Sequence, residues 1–352
     1  VDAELVLKHA KVVNVFTHEI EEADVAIHRG KIVGVGEYSG QTEVELDGKY
    51  VCPGLIDGHI HIESSMLCGP AFEQAVLPHG TTAVITDPHE ISNVAGTVGL
   101  NFMLETTRNL KLSVYFMLPS CVPSTALDES GAVLDAKELV PYYRSERVLG
   151  LAELMNSYGT VNGDAEILQK LCDCTAAGKN IDGHAPFLSG KELNAYITAG
   201  VQSDHECSDI HEAMEKLRRG QYIMVREGTA PGVDVEHQIV KLAVFERHHH
   251  SGHVGLGFLG NYGLQCGAVA SSIAHDSHNL IVAGTNDADM VLAGNTVRKN
   301  KGGLAFVLNG RVVGELALPV AGLMSTETAE AVEEKLQALK AALKEAGISE
   351  EI

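Results

Sequence analysis

The chain has 352 residues, of which 45% are hydrophobic and 21% charged, the balance of a globular protein with one large domain or two to three smaller ones. A formal net charge of −21 argues against nucleic acid or an anionic membrane as a partner, because both are bound by basic surfaces. The seven cysteines show no disulfide or zinc-finger spacing, and no apolar run is long enough for a signal peptide or a membrane span, which is typical of a reduced, cytoplasmic protein.

Residues 1–50 are predicted to form a small β module. Its strands are expected at Ala3–Leu7, Lys11–Phe16, Ala23–His28, Lys31–Gly36 and Thr42–Leu46. Gly30 lies between two alternating apolar runs, which is typical of a β-hairpin turn. No residue pattern in this module indicates a chemical function.

From Val51 onward, apolar strands alternate with helical stretches. The expected strands are Val51–Asp57, Thr81–Thr86, Leu112–Leu118, Val148–Leu151, Asn180–Asp182, Val201–Ser203 and Tyr222–Val225. The expected helices are Gly69–Leu77, Val94–Thr107, Lys137–Tyr143, Ala165–Ala177, Gly190–Ala199 and Ile210–Arg219. This alternation predicts a parallel sheet, and eight such units would close a TIM barrel. An open doubly wound sheet would need a Gly-rich phosphate turn after its first strand, which is absent. We therefore predict an α/β fold with a TIM-like (β/α) barrel over residues 51–232, of which seven units are visible.

Residues 233–352 are predicted to form a C-terminal α+β domain. Helices are expected at Val235–His249, Asp287–Arg298 and Thr326–Ala346, and strands at Val254–Leu259, Gly267–Ala274, Leu280–Gly284, Gly303–Val307 and Arg311–Glu315. Asn309-Gly310 between the last two strands is a strong type I′ turn signal. His248, His249 and His250 are predicted to end the first of these helices and complement its dipole, with a metal role as the alternative.

The pair His59-x-His61 follows an apolar run, Tyr50 to Ile56, that is predicted to be a short buried strand. Residues two apart on a strand share one face, so both imidazoles can point at the same place. Neutral imidazole is a good ligand for zinc, iron or nickel. The pair alone is weak evidence, because two half-exposed histidines on a strand would give the same pattern.

Ionisable side chains stand at the ends of several predicted barrel strands. They are His59, His61, His89, Glu90, Glu153, His184, Asp204 and His205. Strand ends converge on one mouth of a barrel, and several histidines around one carboxylate suit two divalent cations bridged by that carboxylate. Each residue also has a structural interpretation, for example His184 as a capping donor, Glu153 in a salt bridge or Asp87 as a helix cap. Their placement on five strand ends favours the metal site.

Residues 53–61, Pro-Gly-Leu-Ile-Asp-Gly-His-Ile-His, resemble the first barrel strand of the amidohydrolase superfamily. Further segments resemble its adenine deaminase branch: Glu63–Leu67, Val76–Thr82, Asp87–Ile91, Leu151–Asn156, Asp182–Pro186, Ser203–Glu206, Ser271–Asn279 and Pro319–Ser325. The resemblance covers nearly the whole chain, and its motifs are long and specific.

The resemblance implies hydrolytic deamination of adenine to hypoxanthine and ammonia at a centre of two divalent metal ions, manganese, iron or zinc. The implied metal ligands are His59, His61, His184 and His205, with Glu153 as the bridging carboxylate. The implied catalytic residues are Glu153, His89 and Glu90. The implied partner is the small-molecule substrate adenine, and the implied assembly is a homo-oligomer, a dimer.

Candidate substrate-binding residues come from the barrel and from the C-terminal domain. They are Glu63, Ser65, Arg226, Glu227, His275, Asp276 and His278. The His275-x-x-His278 cluster with Asp276 is interpreted either as a polar turn between strands or as a loop that reaches the barrel mouth, where it covers the substrate or holds a further metal. Cys172 and Cys174 are expected to lie in the core.

One departure from the family is large. The eighth barrel strand, which supplies a metal-binding Asp in that family, is missing, because Gly228-Thr229-Ala230 leads almost directly to Val235. Either the natural protein carries a segment that this sequence lacks, or the chain is genuinely shortened and impaired. Asp234 and Asp276 are the candidates to replace that Asp. Two other functions therefore stay open: another nucleobase or cyclic-amide amidohydrolase, and a non-catalytic metal-binding homologue.

Overall fold

A computed structural model of the chain describes residues 3–125, 127–226, 239–260 and 262–345. Contacts divide the chain into two units, Val1–Leu55 and Ile56–Ile352. The predicted junction at residues 232 and 233, the start of the helix predicted at Val235, and the segment Gly228–Ala230 lie outside the described residues. Among the described residues, no helix is long and apolar enough to cross a membrane.

The N-terminal unit is a β-sheet. Its strands are β1 (Ala3–Asn14), β2 (Glu19–His28), β3 (Lys31–Gly36), β4 (Gly40–Glu45) and β5 (Tyr50–Val51). The sheet order is β3-β2-β1-β4, and β5 also pairs with β1. The predicted hairpin between β2 and β3 is confirmed, since Arg29 and Gly30 both have positive φ at its turn.

The first barrel strand, β6 (Leu55–Ile60), differs from its prediction. A single buried strand from Tyr50 to Ile56 is wrong, because Pro53 and Gly54 separate β5 from β6. Proline has no N–H for a strand ladder and glycine weakens strands, so the chain breaks there. Leu55 and Ile56 are 61% and 68% exposed, so the start of β6 is not buried.

The remaining barrel strands match the predicted series. They are β7 (Thr81–Thr86), β8 (Ser113–Leu118), β9 (Val148–Leu154), β10 (Asn180–Gly183), β11 (Ser203–Asp204) and β12 (Tyr222–Ile223). One sheet has the order β10-β9-β8-β7-β6, and β11 and β12 form a parallel pair. Within each of these two sheets every strand lies beside its neighbour in sequence, which is the order of a barrel and not of a doubly wound sheet. The predicted α/β barrel type with seven strands is confirmed. Among the described residues between Ile223 and Ile239, no further strand occurs.

Helices follow these strands. They are α1 (Gly69–Val76), α2 (His89–Thr106), α3 (Ala136–Leu139), α4 (Ser157–Asn162), α5 (Ala165–Ala176), α6 (Gly190–Thr198) and α7 (Ile210–Arg218), with 3-10 turns at Ile62–Ser65, Leu77–His79 and Val140–Arg144. Helix α2 begins five residues before the predicted start at Val94, so His89 and Glu90 lie in its first turn. The core between sheet and helices contains fully buried side chains such as Leu100, Phe116 and Leu151. Cys174 is buried as predicted, but the prediction that Cys172 lies in the core is wrong, because this side chain is exposed.

The C-terminal residues form an antiparallel sheet with two helices. Its elements are β13 (Ile239–Phe245), β14 (Val254–Gly260), β15 (Ala268–Ser271), β16 (Leu280–Gly284), α8 (Asp287–Lys299), β17 (Gly303–Leu308), β18 (Arg311–Ala317) and α9 (Ala329–Glu345). The sheet order is β14-β13-β16-β15-β17-β18. The hairpin predicted at Asn309-Gly310 is confirmed, with positive φ at both residues. The N–H of Ser325 donates to the carbonyl of Met66 at 2.7 Å, which ties the C-terminal segment to the barrel.

The helix predicted at Val235–His249 is wrong for its described residues, because β13 occupies Ile239–Phe245. This strand pairs with β14 along its whole length and with β16 from Lys241 to Phe245, and the hydrogen bonds of two neighbouring strands override the local helical pattern. His248, His249 and His250 therefore follow a strand, and the predicted dipole role is wrong. His248 Nε2 instead lies 2.6 Å from the carbonyl of Ser277.

Candidate metal centre

Glu153 is the centre of the predicted cluster. It lies at the end of β9, is 3% exposed, and its two carboxylate oxygens face different histidines. Oε1 is 3.2 Å from His61 Nε2 and 3.8 Å from His59 Nε2. Oε2 is 2.7 Å from His184 Nδ1 and 3.1 Å from His205 Nε2. All five residues implied as metal ligands are therefore brought together.

The barrel topology explains this convergence. His59 lies in β6 and His61 directly follows it, His184 follows β10, and His205 follows β11. The carboxyl ends of barrel strands meet at one mouth, so these residues become neighbours although they are distant in sequence. The imidazole of His59 also stacks on that of His205, with ring centroids 3.9 Å apart.

The protonation states of His59 and Glu153 suit cations. Burial, helped by the neighbouring His205, lowers the pKa of His59 to about 3, so its imidazole is neutral and keeps a lone pair. The buried Nε2 of His59 has no hydrogen-bond partner among the described residues, which is costly unless another group satisfies it. Burial opposes ionisation of Glu153, but hydrogen bonds from His184, His205 and His61 hold its pKa well below the usual range. Imidazole nitrogens around a carboxylate are donors that fit divalent manganese, iron or zinc.

Asp87 orients two of the histidines. Its backbone carbonyl is 2.9 Å from His61 Nδ1 and accepts a hydrogen bond from it, which turns Nε2 of this ring towards Glu153. Its carboxylate is 2.7 Å from His89 Nδ1, and the same nitrogen lies 3.3 Å from Glu153 Oε1. The sequence pattern indicates Asp87 only as a helix cap. The Asp-Pro-His spacing after a strand is the signal that would have indicated its role.

Glu90 connects the barrel to the C-terminal segment. His275 Nδ1 lies 2.6 Å from Glu90 Oε1, and His278 Nε2 makes a short hydrogen bond to Glu90 Oε2. Burial would raise the pKa of Glu90, but the hydrogen bonds from the two histidines lower it overall, so the carboxylate is ionised. The backbone N–H of Ala274 donates to His278 Nδ1 at 3.2 Å, so Nε2 carries the proton. This arrangement makes His278 a donor to Glu90 and argues against a metal at its Nε2.

Asp276 also reaches this site. Its Oδ1 is 3.8 Å from His89 Nε2, and the hydroxyl of Ser124 donates to its Oδ2 at 2.5 Å. The His275–His278 cluster therefore lies beside the first turn of α2 and is more than a polar turn between strands. Asp234, the other candidate to replace the eighth-strand Asp, lies outside the described residues.

The other predicted substrate residues are placed less directly. Glu63 is 2% exposed, accepts the N–H of Ile91 at 3.2 Å, and its burial raises its pKa to about 7. The hydroxyl of Ser65 donates to the carbonyl of Ile62 within its own turn. Arg226 Nη1 pairs with Glu206 Oε1 at 2.9 Å, next to His205 in sequence. Glu227 lies outside the described residues.

Lys216 is a residue that the sequence analysis missed. It lies in α7, is fully buried, and its ammonium contacts the carboxylates of Asp204 and Glu212 at 2.9 and 2.6 Å. A lysine in an amphipathic helix normally extends into solvent, so its sequence gave no signal apart from the i,i+4 spacing to Glu212.

Two family models match the chain. A model described as the amidohydrolase family covers residues 50–256, and one described as the adenine deaminase C-terminal domain covers residues 218–352. Among solved structures, the chain resembles an N-acyl-D-glutamate deacylase from Bordetella bronchiseptica with a TM-score of 0.49 and 11% identity, over 83% of this chain and 73% of that one.

Curated relatives match over almost the full chain. Adenine deaminase 2 of Carboxydothermus hydrogenoformans is 36% identical, and adenine deaminase of Bacillus pumilus is 32% identical; each match covers 99% of this chain and 90% of the relative. The match to the first extends over 517 residues, although this chain has 352, so that relative contains a long stretch without a counterpart here. The chain belongs to the amidohydrolase family, in its adenine deaminase branch.

Proposed function

We propose that this protein is a hydrolase that converts adenine and water to hypoxanthine and ammonia. The observation that carries the proposal is the position of Glu153 between two pairs of histidines at the mouth of an amidohydrolase barrel. The activity named for the two adenine deaminase relatives described above supports the choice of substrate.

We assign two divalent cations to this centre, manganese, iron or zinc. His59, His61 and Glu153 Oε1 would hold one, and His184, His205 and Glu153 Oε2 would hold the other. Bound cations of this kind supply an activated water as the nucleophile near neutral pH. The identity of the metals, a dimeric assembly and a cytoplasmic location stay predictions.

The residues beside the centre are proposed to transfer a proton to the leaving nitrogen of adenine. As the C6–O bond forms and the C6–N6 bond of adenine breaks, a proton must reach N6 so that ammonia can leave. His89 Nε2 and Glu90 Oε1 lie 3.7 Å apart, and the carboxylate of Asp87 holds the ring of His89 in place. We assign the proton transfer to this pair, with Glu153 as the third catalytic residue.

Substrate binding is proposed for the partly exposed side chains at the same edge. This proposal is supported by the position of His275 and Asp276 beside Glu90 and His89, from which their polar side chains would contact ring nitrogens of a purine. His278 supports them through Glu90. Glu63, Ser65, Arg226 and Glu227 stay candidates with weaker support.

The test is ammonia release from adenine by protein loaded with Mn²⁺, Fe²⁺ or Zn²⁺, with chelator-treated protein as the control. We expect turnover that depends on the metal. If the protein hydrolysed another nucleobase or a cyclic amide but not adenine, that compound class would replace adenine as the assigned substrate. Two bound metals with no turnover of any of these compounds would indicate a non-catalytic homologue. The mass of the natural chain, measured in parallel, reports whether a segment is absent between Arg226 and Ile239.

A further inference from the structure

The barrel sheet is interrupted between β10 and β11. The five-stranded sheet ends at β10, whereas β11 has only two residues and pairs with β12. One backbone hydrogen bond, from Gln202 N–H to the carbonyl of Ile181 at 2.9 Å, crosses the interruption. His184 follows β10 and His205 follows β11. The two histidines that face Glu153 Oε2 therefore lie on either side of this interruption.

Side chains replace the missing ladder at this point. The ammonium of Lys216 donates to the carbonyl of Ala185 at 2.8 Å and to Asp204 Oδ2 at 2.9 Å. The N–H of Ala185 donates to the same Asp204 oxygen at 3.1 Å. Ala185 is the residue after His184, and Asp204 is the residue before His205. One side chain from α7 thus links the two strand ends that carry these histidines.

The charges make this link rigid. Lys216 and Asp204 are both 0% exposed, so neither ion can exchange its partner for water. Glu212 Oε1 accepts a further hydrogen bond from the Lys216 ammonium at 2.6 Å, and Asp204 Oδ1 accepts one from the N–H of Glu206 at 2.8 Å. A buried ion pair adds little net stability compared with apolar packing, but it fixes geometry because breaking it leaves an unpaired charge.

We propose that Lys216 is a positioning residue that sets the separation of His184 and His205 and so forms the half of the metal centre at Glu153 Oε2. The inference rests on the proposed function, because it requires a cation at that half. In the structure His184 Nδ1 and His205 Nε2 are 3.4 Å apart, a spacing at which both nitrogens can contact one cation. The hydrogen bonds of the Lys216 ammonium to described residues go to Ala185, Asp204 and Glu212, so Lys216 acts on the two histidines through Ala185 and Asp204.

The test is a Co²⁺ titration of the apoprotein, followed by equilibrium dialysis and by the visible absorption of bound cobalt. The native chain is expected to bind two equivalents. Lys216→Met is expected to weaken one equivalent at least tenfold and leave the other unchanged, with the same spectral loss as His205→Ala. Lys216→Arg, which keeps the cation, is expected to restore most of the binding. Lys191→Met removes an exposed lysine in α6 and is the matched control.

The outcomes separate this inference from the proposed function. A folded Lys216→Met variant that binds both equivalents with native affinity would overturn the inference and leave the proposed function intact. If the native chain binds no cobalt, both are overturned. If Lys216→Met fails to fold, two other variants test the inference. One is the double variant Lys216→Met/Asp204→Asn, which removes both buried charges and is called the charge-free pair, and the other is Lys216→Arg. Native affinity at both positions in the charge-free pair contradicts the positioning role, and selective loss there with retention in Lys216→Arg supports it.

Discussion

Glu90 and His278 share a buried hydrogen bond although 188 positions separate them in the sequence. Glu90 belongs to the first turn of a barrel helix, and His278 belongs to the segment before β16. Both side chains are at most 4% exposed, so the contact is shielded from water. The C-terminal residues therefore contribute directly to the environment of the candidate centre.

Replacing His278 by alanine is expected to destabilise this connection. The change leaves a buried carboxylate oxygen without its donor, which costs about 1–3 kcal/mol. The loss of orientation at Glu90 is expected to lower turnover of adenine about tenfold to a hundredfold, as for other partners that orient metal-site residues. Urea unfolding and ammonia release measure the two effects.

Two further variants test the reason for this effect. His278→Gln keeps an N–H donor near the same position and is expected to recover part of the activity. His253→Ala removes an exposed histidine from the same C-terminal part and is expected to have no effect. Equal losses in the alanine and glutamine variants would argue against a role for the donor.

Glu153→Gln tests whether one carboxylate serves both halves of the centre. The amide keeps the shape but loses the charge that faces four histidines, so both cations are expected to bind more weakly. The expected loss of turnover is several kcal/mol of transition-state stabilisation, on the order of 1000-fold. Metal content after dialysis is the direct measurement. Glu146→Gln, at an exposed position, is the control, and retention of two metals by Glu153→Gln would contradict the bridging assignment.

The barrel and the location of its site were predictable because both depend on strand order and not on loop geometry. Strands that alternate with helices place their carboxyl ends together, whatever the length of the connections. That rule was enough to bring His59 and His61 to the same carboxylate as His184 and His205. The break after Tyr50-Val51 was also predictable in principle, since it depends on the adjacent residues Pro53 and Gly54.

Other features depend on partners that the local sequence does not specify. The seven residues of β13 form a short apolar run, which fits a helix or a strand until the neighbouring strands β14 and β16 decide. The burial of Lys216 depends on carboxylates supplied by two different elements. The contact of Glu90 with His278 is a tertiary contact between distant segments, so no local pattern near either residue indicates it.

Gly150→Ala is expected to be strongly destabilising. Gly150 lies in β9 and pairs with Asn180 of β10, and an added Cβ would stand 2.1 Å from the carbonyl oxygen of Asn180 and 2.7 Å from Met117 Cε. The backbone carbonyl cannot move away from the added Cβ as the end of a flexible side chain can. The expected loss of unfolding free energy therefore reaches or exceeds the roughly 1–3 kcal/mol typical of overpacking. Because Glu153 lies three residues further along the same strand, metal binding is expected to weaken too.

The matched control for this change is Gly257→Ala. Gly257 also lies in a strand, β14, but an added Cβ there meets no atom within 4 Å. Its urea midpoint is expected to equal or slightly exceed that of the native chain. A midpoint for Gly150→Ala as high as that of the control would show that β9 and β10 tolerate the added methyl group.

The N-terminal sheet offers a prediction on pH that does not involve the metal centre. The ammonium of Lys8 contacts Asp24 at 2.5 Å, and the N–H groups of His9 and Tyr38 donate to the same carboxylate. The hydrogen bond from Lys8 and these backbone donors lower the pKa of Asp24 to about 2. A carboxyl whose pKa is depressed in the folded state stabilises the protein above its unfolded pKa of 3.8, and this contribution disappears as the pH falls towards 2.

Asp24→Asn is therefore expected to lower the urea midpoint of the N-terminal unit at pH 7. The gap between this midpoint and that of the native chain is expected to narrow below about pH 4. Unfolding followed by circular dichroism at pH 7, 4 and 3 measures this gap. Asp47→Asn changes an exposed carboxyl in the same unit and is the control. Its urea midpoint is expected to lie close to that of the native chain at all three pH values. If the gap for Asp24→Asn stayed constant from pH 7 to pH 3, the contribution of this residue would come from packing and not from its charge.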